Sequence, residues 1–384
     1  MNMPAVSLYI HIPWCIRKCL YCDFNSHKSP DTLPEESYIK ALIQDLENDL
    51  KRFPVTKEIS SVFIGGGTPS LFSATAFHDL FSRLQEMLNF SSSVEITLEA
   101  NPGTVEQERF RDYRQAGINR LSLGIQSFNP FHLKALGRIH DEHQSHAAIE
   151  SARLAGFDNI NLDIMHSLPQ QTVEEGLKDL QIALSYKPEH LSWYQLTIEP
   201  NTVFYKKQPI LPSEDDSFQL EEQGLALLEQ SGFQRYEISA FSQARQWSRH
   251  NLNYWLFGDY LGIGAGAHGK LTIGKDVFRT RKQRQPKDYL NPQKDFLAAV
   301  DKIDEENLLF EFMLNTTRLE QAIPFDLFFQ KTGLSSSIFH CKLTEAINKK
   351  LIKVTPQHWQ VTPLGRRYTN DLQSIFLPDE LHKP

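Results

Sequence analysis

Three of the four cysteines fall within eight positions, as Cys15, Cys19 and Cys22 in the stretch WCIRKCLYC. The spacing is C-x3-C-x2-C, and three uses of such crowded thiols compete. Free cysteines pack as small hydrophobes, but burial alone asks for no clustering. Structural zinc could use His11 or His27 as a fourth ligand, yet closed tetrahedral sites favour paired C-x2-C units and no second pair exists here. An iron–sulfur cluster is the third use. Such clusters ordinarily take four cysteines, so three leave one iron open to bind and reduce a substrate or cofactor. This use best accounts for the spacing. Cys341 is remote from the group and is expected to be dispensable.

Other chemistry-bearing residues recur at comparable places. Gly65, Gly66, Gly67 and Thr68 form a bare-backbone run that would let a small ligand's amino group approach closely. Glu99, Gln126 and Asp163 each fall at or near the end of an apolar run. Singly, a glycine run is usually a turn and a carboxylate at a strand end is usually solvated or a cap. GIGAGAHG (262–269) contains G-x-G-x-x-G, but the next residues, KLTIGKDVF, read as a hairpin and not as the helix a dinucleotide site needs. A tight glycine turn is expected there. The basic run RTRKQRQPK reads as part of a solvated linker over 279–295.

The elements that must position these residues are legible as a rhythm. Six β-branched or aromatic runs, at 7–12, 61–66, 94–100, 120–126, 159–165 and 190–198, alternate with amphipathic stretches, several of which end at Gly. Alternation of this kind means βα units around a parallel sheet. Six units in about 190 residues fit a partial (β/α)6 TIM-like barrel, and in such barrels reacting groups gather at the C-terminal ends of the strands. The thiols would follow the first strand and the glycine run the second; Glu99, Gln126 and Asp163 would close the third to fifth. All would share one rim. The α/β fold expected therefore has a barrel over 1–240 and an extension with HNLNYW, the glycine turn and a linker over 241–290. A C-terminal, mainly helical, winged-helix-like domain would occupy 291–384.

Composition narrows the classes. With 384 residues, 40% of them hydrophobic, the chain can bury a large core. A net charge of −7 argues against a nucleic-acid partner, which normally needs a basic face. No apolar run reaches the ~18 residues of a membrane span, and the first residues lack a signal pattern. A cytoplasmic location is expected, with at most peripheral membrane association. In a reducing compartment a thiol cluster is metal-binding or catalytic, not a disulfide framework.

C-x3-C-x2-C in a loop after the first strand of a partial barrel resembles the signature of radical S-adenosylmethionine (SAM) proteins. YIHIPWC, GGGTPS, LEANPG, LGIQSF, LGRIH, NLDIMHSLP and LSWYQLTIEPNT are together similar to the oxygen-independent coproporphyrinogen III oxidase family, over nearly the whole chain. The resemblance implies a [4Fe-4S] cluster on Cys15, Cys19 and Cys22, with Tyr9, Gly66 and Glu99 contacting SAM at the open iron. Tyr21, Gly67, Thr68, Gln126, Arg138 and Asp163 match positions that hold a second SAM in the decarboxylase branch. The other branch is regarded as heme chaperones, and three features favour it. Only eight residues precede Tyr9, where decarboxylases carry an extension. Asp-Phe-Asn follows Cys22, where they carry another cysteine two positions on. HNLNYW (250–255) resembles the chaperone hallmark. Because that motif departs from the βα rhythm, it is expected beside the open mouth of the barrel. His250 would ligate heme, with Tyr254 and Trp255 as stacking faces. The partners implied are heme, acceptor hemoproteins such as those of a respiratory chain, and an electron donor for the cluster; the alternative is oxidative decarboxylation of coproporphyrinogen III.

Overall fold

The structure, a computed structural model, describes residues 6–378. Its frame is one twelve-stranded sheet whose middle is parallel. Strands β1 (Val6–Ile12), β2 (Ile59–Gly66), β3 (Phe90–Ala100), β4 (Arg120–Gln126), β5 (Ile160–His166) and β6 (His190–Gln195) lie side by side in chain order. They are near-continuous apolar runs because both faces are covered, as the burial of all of β1 but Tyr9 illustrates. Helices cover the outer face. The first, Glu35–Arg52, buries Tyr38, Ile39, Leu42, Ile43 and Leu46 and carries acidic residues in its first turn and basic ones in its last, complementing its dipole. Capping boxes at Asp141/Gln144 and Thr172/Glu175 fix the starts of helices Glu142–Leu154 and Val173–Ser185. A partial (β/α)6 barrel results, as the alternation predicts, although its sixth strand ends at Gln195 and not at 198.

Both edges of the parallel region are extended. Beyond β6 lie the antiparallel strands β7 (Gln234–Glu237) and β8 (Ala240–Ser242), β8 pairing with β6. On the other side β9 (Tyr260–Ile263) adds to β1 in parallel, a seventh parallel strand that the rhythm does not announce. It continues antiparallel through β10 (His268–Ile273), β11 (Asp276–Lys282) and β12 (Leu297–Lys302).

The stretch 279–295 is therefore no linker. Its first four residues are the end of β11, and helix Pro286–Tyr289 comes next. Lys282 is fully buried between Asp45 and Asp49 of the first helix, 2.7 Å from Asp49, and Tyr289 donates to Asp45 at 2.7 Å. A basic run looks solvated when the carboxylates that neutralise it lie more than 230 residues away. The hairpin and glycine turn around it are as expected: Gly264 and Gly266 have φ of +104° and +85°, a conformation glycine adopts freely. A Cβ on Gly264 would sit 2.4 Å from the carbonyl oxygen of His11.

Helices Glu305–Thr316, Phe325–Thr332 and Ser336–Asn348 and a three-stranded wing (323–324, 358–361, 352–354) form a winged-helix-like C-terminal unit around Phe312, Phe328, Phe339 and Trp359. This second core also takes in Leu252, Trp255, Phe257 and Val277 from the preceding stretch. No helix among the described residues is long and apolar enough to cross a membrane.

Candidate functional site

The cysteine loop is pinned at both ends. Trp14–Cys15 pairs in parallel with His27–Lys28, and Ser29 donates to the Cys15 carbonyl at 2.8 Å. Farther on, Leu20 donates its N–H to Leu136 and its carbonyl accepts from Phe204. The strand-2 glycines press on the same loop: Gly67 donates to Ile12 and Thr68 to Trp14, both at 2.8 Å. A Cβ on Gly66, whose φ is +115°, would lie 2.5 Å from the His11 ring, and one on Gly67 would lie 2.5 Å from the Trp14 carbonyl oxygen. The glycines are thus bare first of all because the protein itself lies against them, the end of β1 at Gly66 and the start of the thiol loop at Gly67.

All three loop thiols open on one cavity of about 530 Å³ at the C-terminal ends of the strands, within the ~300–1,000 Å³ of small-ligand sites. Tyr21, Gly66, Gly67, Thr68, Glu99, Gln126, Arg138 and Asp163 line it too, so ten widely spaced positions besides Cys15 reach one place. Tyr9 does not line that cavity. Its hydroxyl bonds His11 Nδ1 at 2.9 Å, and it lines a neighbouring cleft that shares Gly66 and Glu99 with the first. The other nitrogen of His11 is 2.9 Å from the Asn25 carbonyl oxygen, so this ring has no free position for zinc. Among the described residues no three His, Cys, Asp or Glu side chains gather as ligands of a single ion.

Arg138 crosses the site. Its guanidinium donates to Asn101 Oδ1 at 2.7 Å, to the Gly124 carbonyl at 2.5 Å and to Cys19 Sγ at 3.5 Å, while its buried Nε has no partner among the described residues. Asn101 in turn donates to Thr68 at 3.0 Å. Burial pushes the thiols of Cys15 and Cys22 up, which keeps them protonated until a metal or cation competes. Glu99 accepts the Gly66 N–H at 3.1 Å; burial, with the nearby Asp163 charge, pushes its carboxyl up to about 7. Burial also raises Asp163, although Ser122 and Asn161 donate to it at 3.0 and 2.8 Å. Gln126 ends its strand with φ +69°, a left-handed conformation unusual for a side-chain-bearing residue, and accepts from Tyr194 at 2.8 Å. Asn101, Ser192 and Tyr194 also line the cavity and are not singled out by the sequence reading. Period-2 alternation along β6 is the signal that could have found Ser192 and Tyr194.

His250 lies elsewhere. HNLNYW forms the helix Arg249–Trp255, whose N-terminal N–H groups, those of Arg249 and His250, bind Glu95 at the middle of β3. The His250 ring sits under Phe63 and Tyr9, its Nδ1 3.2 Å from Ser61 Oγ and its Nε2 2.8 Å from the Tyr254 hydroxyl. Burial pushes its pKa down to about 3. The expectation that the motif flanks the open mouth is met only by Tyr254, which lines the cleft adjoining the cysteine cavity; His250 itself packs against Ser61 early in β2 and is occupied on both nitrogens. Such a histidine looks like a ligand in sequence because partners 189 residues away are invisible there.

Residues 9–182 match the radical SAM superfamily, and residues 303–368 match the HemN C-terminal domain. The chain is 47% identical over 383 residues to the heme chaperone HemW of Haemophilus influenzae, covering 99% of this chain and 100% of that protein. It is 44% identical to the heme chaperone HemW of Escherichia coli, covering 99% and 100%, and 34% identical to that of Bacillus subtilis, covering 97% and 99%. Among solved structures, coproporphyrinogen III oxidase (HemN) of Escherichia coli, a radical SAM enzyme, superimposes with a TM-score of 0.80 at 24% identity, covering 97% of this chain and 90% of that one. That likeness is one of fold. Full-length identity, together with three thiols and the glycine run on one barrel rim, makes this chain a member of the HemW family within the radical SAM superfamily.

Proposed function

We propose that the protein is a heme-binding chaperone that carries a [4Fe-4S] cluster and SAM and delivers heme to acceptor hemoproteins. The observation that carries this reading is 47% identity to a heme chaperone over the full length of both chains. The residues present fit the cluster. Three thiols open on a cavity of small-ligand size, and a buried arginine with a nitrogen unpartnered among the described residues lies against one of them. When bound, such a cluster would supply electrons for reductive cleavage of a sulfonium cofactor held beside it.

This chain's own residues would do the rest. Cys15, Cys19 and Cys22 ligate; Arg138, fixed by Asn101 and the Gly124 carbonyl, holds its positive charge against Cys19 Sγ. Glu99 and Gly66 line the SAM side, with Tyr9 behind them in the adjoining cleft; Tyr21, Gly67, Thr68, Gln126 and Asp163 complete the wall. An external electron donor and acceptor hemoproteins are the partners. The decarboxylase alternative draws only on fold likeness to HemN. Anaerobic reconstitution with iron and sulfide, then SAM and hemin titration and transfer to an apo-hemoprotein, tests the reading. Conversion of coproporphyrinogen III without heme transfer, or stoichiometric zinc without iron uptake, overturns it.

A further inference from the structure

The cleft on the far side of Glu99 takes in none of the three loop thiols. Its volume is about 910 Å³, and it shares Phe24, Gly66 and Glu99 with the cysteine cavity, so the two spaces adjoin. Its other wall is the added sheet, where His268 of β10 stands opposite Arg281 of β11 in register. His268 is exposed, and no hydrogen bond to its imidazole is found among the described residues. The cleft walls partly desolvate the ring although its edge is open, and with Arg281, Arg279 and Arg284 they push its pKa down, so it is neutral at neutral pH, the form that ligates metals.

Two guanidiniums of this cleft are available to an anion. Arg281 pairs with Asp301 at 3.0 Å, but both side chains are more than half exposed, and pairs of this kind hold weakly. Arg284 donates to the Asn25 amide oxygen at 3.2 Å. The acidic group on the same wall, Asp288, is paired with Lys294. Aromatic surface comes from Tyr254, Tyr260 and Phe24, the last 58% exposed. A flat, apolar, metal-bearing dianion would find here a free imidazole, two cations and aromatic edges in one space open to solvent. His250, bonded on both nitrogens, offers no free imidazole.

We propose that this cleft is the heme site: His268 supplies the axial imidazole, Arg281 and Arg284 meet the propionates, and Tyr254 and Tyr260 flank the macrocycle. The assignment rests on the heme-chaperone reading and deepens it. It sets the cargo beside the Gly66–Glu99 wall, and so next to the SAM side of the cluster cavity.

Hemin is titrated into the full-length reconstituted protein as wild type, His268→Ala, the double variant Arg281→Ala/Arg284→Ala, and His250→Ala. The His268 variant is expected to lose the low-spin imidazole signature in visible and EPR spectra and to bind roughly tenfold more weakly. In His268→Gly, free imidazole should restore the signature. The double arginine variant should lose the preference for hemin over its dimethyl ester. His250→Ala, where it folds, should keep the wild-type spectrum. An unchanged spectrum and affinity in His268→Ala overturns the assignment, most plainly if His250→Ala loses the signature instead. A wild type that binds no hemin overturns the chaperone reading itself, and this site with it.

Discussion

Replacing Glu99 by Gln should move stability and SAM affinity in opposite directions. The carboxyl is fully buried, faces Asp163 and is compensated by one backbone N–H from Gly66. Its pKa is pushed from 4.5 to about 7. The folded protein therefore keeps a proton that the unfolded chain has already released, so stability falls as pH rises from about 4.5 to about 7 and is level above that. At about 1.4 kcal/mol per pH unit, this burden amounts to roughly 3 kcal/mol by pH 8. Glutamine carries no charge to bury. The ligand-free variant should match wild type near pH 4.5 and resist urea better at pH 8, by roughly 2–3 kcal/mol once the poorer hydrogen bond to Gly66 is allowed for. SAM should respond the other way. Loss of a charge-assisted hydrogen bond costs about 1.5–3 kcal/mol, and wild type gains its advantage only as the carboxyl ionises. The ratio of wild-type to variant affinity should widen nearly tenfold between about pH 6 and pH 8. Any titration of SAM itself is common to both proteins and cancels in that ratio. Urea unfolding across pH and equilibrium dialysis of SAM on reconstituted protein supply both halves. A variant less stable than wild type at pH 8, or one with an unchanged affinity ratio, refutes the reasoning.

Cys19→Ala should abolish uptake of the about four irons a cluster holds, while Cys341→Ser, whose thiol is exposed in the C-terminal unit, should leave iron content unchanged. His250→Ala strips a partner from both Ser61 and Tyr254 and should lower unfolding stability by about 1–3 kcal/mol, with SAM affinity intact in calorimetry. Lys282→Met leaves Asp45 and Asp49 buried without their cation and should cost about 3–5 kcal/mol. Converting both aspartates to asparagine in the same chain should recover most of that loss, as read by urea midpoints.

What is legible in the sequence is whatever depends on short-range pattern. Six strand runs and the helices between them arise from periodicity, and strands of a parallel barrel all end on one side, so Cys15, Gly66, Glu99, Gln126 and Asp163 had to meet. Arg138 is different: it lies beyond the short helix Pro130–Leu136, and only the family resemblance points to it. Features settled by distant partners stay hidden. Nothing in HNLNYW says that Ser61 and Glu95 wait in β2 and β3. Nothing near Lys282 says that two aspartates of the first helix will enclose it. His268 escapes notice for the converse reason. Within GIGAGAHG it reads as part of a turn, and only the pairing of β10 with β11 sets it opposite an arginine.

The glycine run shows how one sequence feature carries two physical demands. The sequence suggests close approach between its backbone and a ligand. The structure shows close approach to the protein first: the His11 ring occupies the space of a Gly66 side chain, and the Trp14 carbonyl that of Gly67. Strand β2, the end of β1 and the thiol loop are thereby locked together, with Gly67 and Thr68 donating into the loop backbone. A branched side chain at Gly66 would displace the His11 ring, which holds the Asn25 carbonyl beyond the thiols, before it met any ligand, so loss of SAM binding there would report a disturbed loop as much as a blocked pocket. Glu99 is free of that ambiguity. Its carboxylate reaches the same backbone from the next strand and can be changed without moving the loop. The wall between the cluster cavity and the neighbouring cleft is accordingly thin, with Gly66, Glu99 and Phe24 facing both. A group bound on either side would meet the same Gly66 peptide, Glu99 carboxyl and Phe24 ring.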